Sequence, residues 1–274
     1  MREFKGKSLI AAPSSYTIID IETTGLDPAR DEIIEVSALK VRNGVVVDTF
    51  STLVNPDVPL SDFIVEFTGI TQEMLDDIAP NITGVMADMQ KFIADDILIG
   101  HNVNFDINFL YDAFIKHLGE PLKNDFVDTL RLARATFRNL PHHTLSFLAY
   151  ELNLPAEVEH RALGDCECTF ELYKTLVAEM INQKGSVDDF ITDANKSKKA
   201  TSANIECTAI EIDETHPAYN QVFVFTGRLD KMTRSDAMQM VVNLGGKTED
   251  SVKKNVNYLV LGNFDYVSGI KGGK

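Results

Sequence analysis

The chain has 274 residues, 44% of them hydrophobic, and a formal net charge of −15. That length accommodates a large domain plus a smaller one, and the acidity argues against a protein that coats nucleic acid nonspecifically. No run approaches the ~18 apolar residues of a membrane span, and the basic N-terminus MREFKGKSLIAAPSSY lacks the apolar core of a signal peptide, so the expected place is the cytoplasm, with no membrane partner.

The charge is uneven: −15 over residues 1–183, −3 over 184–218 and +3 over 219–274. The last segment is a different electrostatic object from the rest. Cys166, Cys168 and Cys207 make no disulfide framework. The Cys-x-Cys pair lacks partners at zinc spacing, so these read as reduced thiols.

The first predicted strand starts at Tyr16 in YTIIDIETTGL. Its apolar residues are mostly β-branched or aromatic, yet Asp20 and Glu22 interrupt them. Residues two apart on a strand share a face, and two anions side by side resist desolvation unless a cation joins them. EIIEVSALKVRNGVVVDTFSTLVNP then reads as a hairpin turning at Asn43-Gly44. A loop with Pro56 and Pro59 follows, then helices over Gln72 to Ile78 and Asn81 to Ala94, the second with Ile82, Val85, Met89 and Phe92 at helical spacing.

A short strand from Ile97 to Ile99 leads through GHNVNFD into a helix reaching His117. Further helices are predicted over Asp128 to Phe137, Thr144 to Leu152 and Gly164 to Met180. His101 and Asn102 are expected to hold the turn before the Asp106 helix, and Asp128 to cap its own. His142 and His143 fit capping or surface roles better than catalysis. Strands first, then strand–helix alternation, predict an α/β fold: one mixed sheet flanked by helices.

Residues 184–218, with NKSKKATSAN, read as a polar linker between a domain over 1–183 and a unit over 219–274. Structure resumes at QVFVFTGRL, a strand entering a Thr-Gly turn. A helix from Arg234 to Leu244, then GGK, and a strand in NYLVLG follow.

Asp106 lies between Phe105 and Ile107, and Asp165 opens an apolar helix five residues after His160. With Asp20 and Glu22 they make four carboxylates and one imidazole. Hard oxygen ligands suit Mg²⁺ or Mn²⁺, and two such ions would neutralise the cluster and clamp a phosphodiester.

The pattern D-x-E-T-T-G, G-H-N-x-x-F-D and H-x-A-x-x-D, in that order over about residues 14–180, resembles the DEDDh (DnaQ-like) exonucleases, the superfamily of the polymerase proofreading subunit. The resemblance implies a ribonuclease-H-like fold and metal-dependent hydrolysis of single strands from the 3′ end to nucleoside 5′-monophosphates. It implies that Asp20 bridges two metals, that Glu22 and Asp165 complete the site of the metal holding the attacking water, and that Asp106 anchors the other. His160 would be the general base, in a segment with Arg161 and Gly164 read as a mobile loop. Thr23, Thr24 and Leu26 would meet the terminal nucleotide. At FTGIT the family often has His where this chain has Thr68, a position that usually lines the substrate pocket.

Residues 219–274 resemble a BRCT domain, by strand-Thr-Gly, M-T-R before a helix, L-G-G-K and a strand ending Val-Leu-Gly. SGIKGGK stands where that family continues into further elements ending in a Trp-bearing helix, so a partial BRCT domain is expected. Thr226 and Gly227, with Lys253 or Lys254 at a helix start and Arg228 and Arg234 nearby, would grip a phosphate. Alternatively, Thr-Gly is only a turn and the lysines are solvated. The partners so implied are single-stranded nucleic acid, with DNA favoured, and DNA 5′-phosphate ends or a phosphorylated or polymerase partner for the BRCT unit. An exonuclease of RNA or short oligonucleotides, and a non-catalytic DNA-end-binding scaffold, are the alternatives in function.

Overall fold

The computed structural model describes residues 2–56, 58–156, 160–196, 205, 207–208, 212–227, 229 and 232–262. The chain forms two compact units, Met1–Ala194 and Asn195–Lys274. Arg228 and the SGIKGGK segment lie outside the described residues.

The first unit is built on a six-stranded sheet of order β1-β6-β5-β2-β3-β4. β2 (Tyr16–Thr23), β3 (Ile33–Arg42) and β4 (Val45–Leu53) form an antiparallel meander. Its hairpin turns at Asn43 and Gly44, both at positive φ (51° and 76°), the conformation Asn-Gly favours. β5 (Leu98–Gly100), β6 (Phe126–Asp128) and β1 (Ser8–Leu9) add parallel strands on the other side of β2. This is the expected mixed sheet. β1 and β6 are not predicted from sequence, because two or three residues carry no periodicity.

Helices cover both faces. α3 (Ile82–Ile93) and α4 (Asn104–Leu118) share a core cluster with Ile19, Ile21 and Val36. On the opposite face α5 (Thr129–Thr136), α6 (Leu145–Glu151) and α7 (Ala162–Lys184) pack on Tyr16, Ile18 and Leu39. The alternation of β2 thus divides between two cores. Side-chain caps at Asn81, Asp128 and Thr144 start α3, α5 and α6, and left-handed Gly119 ends α4.

Three boundaries differ from expectation. α1 (Asp62–Thr68), between the Pro-rich loop and α2 (Gln72–Ile78), is not predicted; its signals were Ser61 as cap and Gly69 at φ 68°. α7 begins at Ala162, so Arg161 and Gly164 belong to its cap and first turn rather than to a loop. α8 (Val187–Lys196) lies inside the stretch read as a polar linker. Its Phe190 is 4% exposed and joins the core under α7, so a buried ring anchors the helix despite its polar composition.

The second unit has a parallel three-stranded sheet of order β8-β7-β9, with β7 (Val222–Thr226), β8 (Lys247–Glu249) and β9 (Tyr258–Leu261). α9 (Arg234–Asn243) starts at a capping box, in which Thr233 and Asp236 satisfy each other's backbone. Among the described residues no helix is long and apolar enough to cross a membrane.

Candidate active site

The parity of β2 explains its two acids. Tyr16 and Ile18 face the core beneath α7. Asp20 and Glu22 continue the same side of the strand past the end of that core, where α7 begins. Asp165, in the first turn of α7, comes down onto them. The Asp20, Glu22 and Asp165 side chains each place an oxygen within 4.8 Å of the other two.

Asp106, in the first turn of α4 and 4% exposed, stands outside that triad but binds the same strand. Its Oδ1 accepts the Ile21 N–H at 3.2 Å, between the two strand acids. This places the site at the carboxyl ends of the parallel strands, where open α/β sheets present their ligands. β5 approaches β2 closely here: a Cβ on Gly100 would meet the Ile19 carbonyl at 3.0 Å and Val103 Cγ2 at 2.7 Å.

These acids resist ionising together. Burial, and then the neighbouring charges of Asp106, Asp165, Glu22 and Glu35, push the Asp20 carboxyl well above its ordinary range. Burial and then Asp165, Glu35 and Asp106 raise Glu22 to about 8, with Arg161 opposing. Asp106 is raised to about 8, chiefly by burial, against stabilising backbone hydrogen bonds that include the one from Ile21. Such a donor set, all hard oxygen, suits a divalent cation of the Mg²⁺ class. Beneath it Cys166 is buried, its thiol pushed well up by burial and by Asp20 and its neighbours, and it donates to the Ser37 carbonyl at 3.5 Å.

The other sequence candidates scatter. His160 is exposed, at φ 53°, and its ring stacks on Phe67 with centroids 4.1 Å apart. The Thr23 hydroxyl donates to the Gly25 carbonyl at 2.6 Å, and the Thr24 hydroxyl accepts the Glu32 N–H at 2.9 Å. Both hydroxyls therefore hold the turn itself. Leu26 is 84% exposed at its tip. Gly25 packs closely there, since a Cβ would lie 2.5 Å from the Asp31 carboxyl, which would have to shift.

Thr68, where the family often has His, serves its own helix. It is buried, donating to the Ile64 carbonyl at 2.8 Å and accepting the Ile70 N–H at 3.1 Å, and so ties off α1. Asp128 caps α5 through the Leu130 N–H at 3.0 Å and also accepts the Asn102 N–H at 2.9 Å. His101 bridges the Thr129 hydroxyl and the His143 carbonyl, and His143 reaches the Phe137 carbonyl. His101 thus ties the turn before α4 to the start of α5 and to the segment before α6, and His143, expected at a cap or the surface, joins that bracing.

Two features escaped the sequence reading. Phe63 and Phe67, one turn apart on α1, stack at 5.8 Å and are 69% and 45% exposed. With His160 they form a run of three rings. Their i, i+4 spacing was visible, but the helix was not recognised. The second is Glu35, buried on β3 opposite Glu22 and bound to Arg161.

In the second unit Thr226 ends β7 and Gly227 turns at φ 72°. Lys253 and Lys254 do not start a helix. They lie in a turn closed by the Val256 N–H on the Lys253 carbonyl, so no helix N-terminus adds its dipole. Lys253 is paired to Glu249 at 2.7 Å. Arg234 opens α9.

Residues 17–173 match the Exonuclease family (RNase_T), and residues 215–273 match the BRCA1 C-terminus (BRCT) domain. The chain is 42% identical over 156 residues to the PolC-type DNA polymerase III of Bacillus subtilis, covering 57% of this chain and 11% of that one. To the Pediococcus pentosaceus PolC-type polymerase it is 34% identical over 213 residues, 76% of this chain and 14% of the other. It therefore spans only about a ninth to a seventh of those relatives. Exonuclease X in complex with 5′-overhanging duplex DNA superimposes with a TM-score of 0.50 at 26% identity, covering 64% of this chain and 97% of that one. E. coli exonuclease I in complex with a dA16 oligonucleotide gives 0.55 at 21%, covering 63% and 43%, a likeness of fold. Because the family match spans more than half of its length, the chain belongs to the Exonuclease family, with a match to the BRCT domain C-terminal to it in sequence.

Proposed function

We propose that the protein removes nucleotides from the 3′ ends of single-stranded DNA as 5′-monophosphates, with Asp20, Glu22, Asp106 and Asp165 holding two divalent cations, Mg²⁺ or Mn²⁺. The observation that carries this is the convergence of three carboxylates within 4.8 Å, on a strand whose backbone also binds a fourth. When bound, the ions supply the positive charge that lets a phosphodiester anion approach four acids and that stabilises the departing oxygen. His160 takes the proton of the attacking water on its imidazole, the side chain most often used as a general base. The water oxygen bonds to phosphorus, the bond to the 3′ oxygen breaks, and a shortened strand with a 3′ hydroxyl leaves.

Leu26 and the backbone of Thr23 and Thr24 meet the terminal nucleotide. Phe63 and Phe67 offer ring faces on which bases stack without regard to sequence. For the BRCT unit, whose net charge of +3 contrasts with the acidic remainder, we propose contact with a DNA 5′ phosphate. Thr226, Gly227 and Lys254 would make it, with Lys253 following once released from Glu249. The deciding experiment compares 3′-labelled single-stranded DNA and RNA with Mg²⁺, with Mn²⁺ and with chelator. Metal-dependent release of labelled 5′-monophosphate from DNA is expected. Undiminished turnover in excess chelator would remove the metal reading, and faster cleavage of RNA would move the substrate. Anisotropy with 5′-phosphorylated and 5′-hydroxyl duplexes tests the second unit.

A further inference from the structure

Glu35 is 3% exposed and sits opposite Glu22 in the sheet, where its charge adds to the repulsion raising Asp20 and Glu22. A buried carboxylate in that company needs specific compensation, and it has it. Arg161 donates from Nη2 to Oε1 at 2.7 Å and from Nε to Oε2 at 3.1 Å, a two-pronged contact. The Ala162 N–H donates to Oε2 at 2.9 Å. α7 has no side-chain cap hydrogen bond from its own N-cap residue, Arg161; Glu35 supplies the cap from a strand, with its charge at the positive end of the helix dipole. Both of its oxygens are thereby engaged, and it stands outside the Asp20, Glu22 and Asp165 group, so it is not a metal ligand in waiting.

One strand carboxylate thus holds both the side chain of residue 161 and the next peptide N–H. His160 is the residue immediately before, in the left-handed region and against Phe67. A small rotation of the 161 backbone carries the imbalance straight to the imidazole, and a misplacement of about 1 Å can cost ~10²-fold in rate. We propose that Glu35 and Arg161 are a positioning pair that sets the imidazole of His160 over the acid cluster. The pair acts through His160 rather than through the metals. This rests on the reading of His160 as the general base.

The test is a mutant cycle on the full chain: Glu35→Gln, Arg161→Lys, His160→Ala, and each of the first two combined with the third. Arg161→Lys keeps the charge but cannot make the fork, and its side chain is 38% exposed, so it decides the matter should Glu35→Gln fail to fold. Each single change at the pair is expected to lower kcat ~10–100-fold, with KM changed less than ~3-fold and Mn²⁺ affinity by calorimetry less than ~2-fold. The doubles should be no slower than His160→Ala alone. Without metal, the His160 ring protons, assigned by their loss in His160→Ala, should lie upfield under the Phe67 ring current and return to the free-histidine position in either pair variant.

Additive losses in the doubles, Mn²⁺ affinity lost as badly as in Asp165→Ala, an unchanged kcat, or unmoved ring protons would each overturn the pair's role. A His160→Ala enzyme of wild-type rate would sink the general-base reading and this inference with it. A slow His160→Ala enzyme with additive doubles would sink this inference alone.

Discussion

Both units run a strand into a threonine–glycine turn, β2 into Thr23-Thr24-Gly25 and β7 into Thr226-Gly227. The turns do the same local work by different means. Gly25 packs against the Asp31 carboxyl, and Gly227 turns at positive φ. What surrounds them differs. At β2 an acid from α7 and another from α4 converge on two strand acids, burial raises their pKa values, and hydroxyls are consumed in the turn. At the end of β7 the nearest lysine candidates form an exposed turn, and one is already paired to Glu249, a contact worth little in stability. Chemistry comes from what the fold brings to a turn, not from the turn.

The sharpest way to break this contrast is Asp20→Ala. It should lower hydrolysis of single-stranded DNA by at least ~10³-fold, of the order seen when a principal catalytic group is removed, with the cooperative melt retained. Activity near wild type would mean that the acids of β2 are no more functional than the turn of β7.

Next in size is the boundary between the units. A chain ended after Gln183 loses Phe190 and should lose ~3 kcal/mol of stability, the scale of a buried phenylalanine. One ended after Lys196 should melt like the first unit of the intact chain and keep its rate on short strands. Equal melting temperatures for the two truncations would return α8 to the linker.

Phe67→Ala should raise the KM for single strands ~5–100-fold with a smaller effect on metal binding, as expected for one lost base-stacking surface of ~1–3 kcal/mol. An unchanged KM would leave the ring as a companion of His160 only.

The smallest effect is on stability against pH. Glu22 and Asp106, at about 8, keep protons in the folded state that the unfolded chain gives up near its ordinary carboxylate pKa. The folded state therefore binds more protons between about 4.5 and 8, and without metal its stability should fall as pH rises through that window, by ~1 kcal/mol or more. Melting in EDTA at pH 5.5 and 8 measures it. Glu22→Gln should flatten the slope, and added Mn²⁺ should lift the alkaline end most. A metal-free protein that becomes more stable toward pH 8 would contradict the crowding of the acids.

The sequence by itself determined the elements with strong periodicity or caps. The Asn43-Gly44 hairpin, α2, α3 and the capping of α5 by Asp128 all follow from residues near in the chain. The types and order of Asp20, Glu22, Asp106 and Asp165 also marked in advance the acids that the fold gathers at β2. Contacts between distant residues left no local trace, and only the tertiary structure decided those. Thr68 turned inward because its hydroxyl satisfies α1. Phe190 made a helix out of an apparent linker because one ring could be buried. Glu35 meets its partner Arg161, 126 positions later, only across the fold. Local hydrogen bonding and side-chain alternation are properties of neighbouring residues. Burial and charge compensation belong to the folded chain.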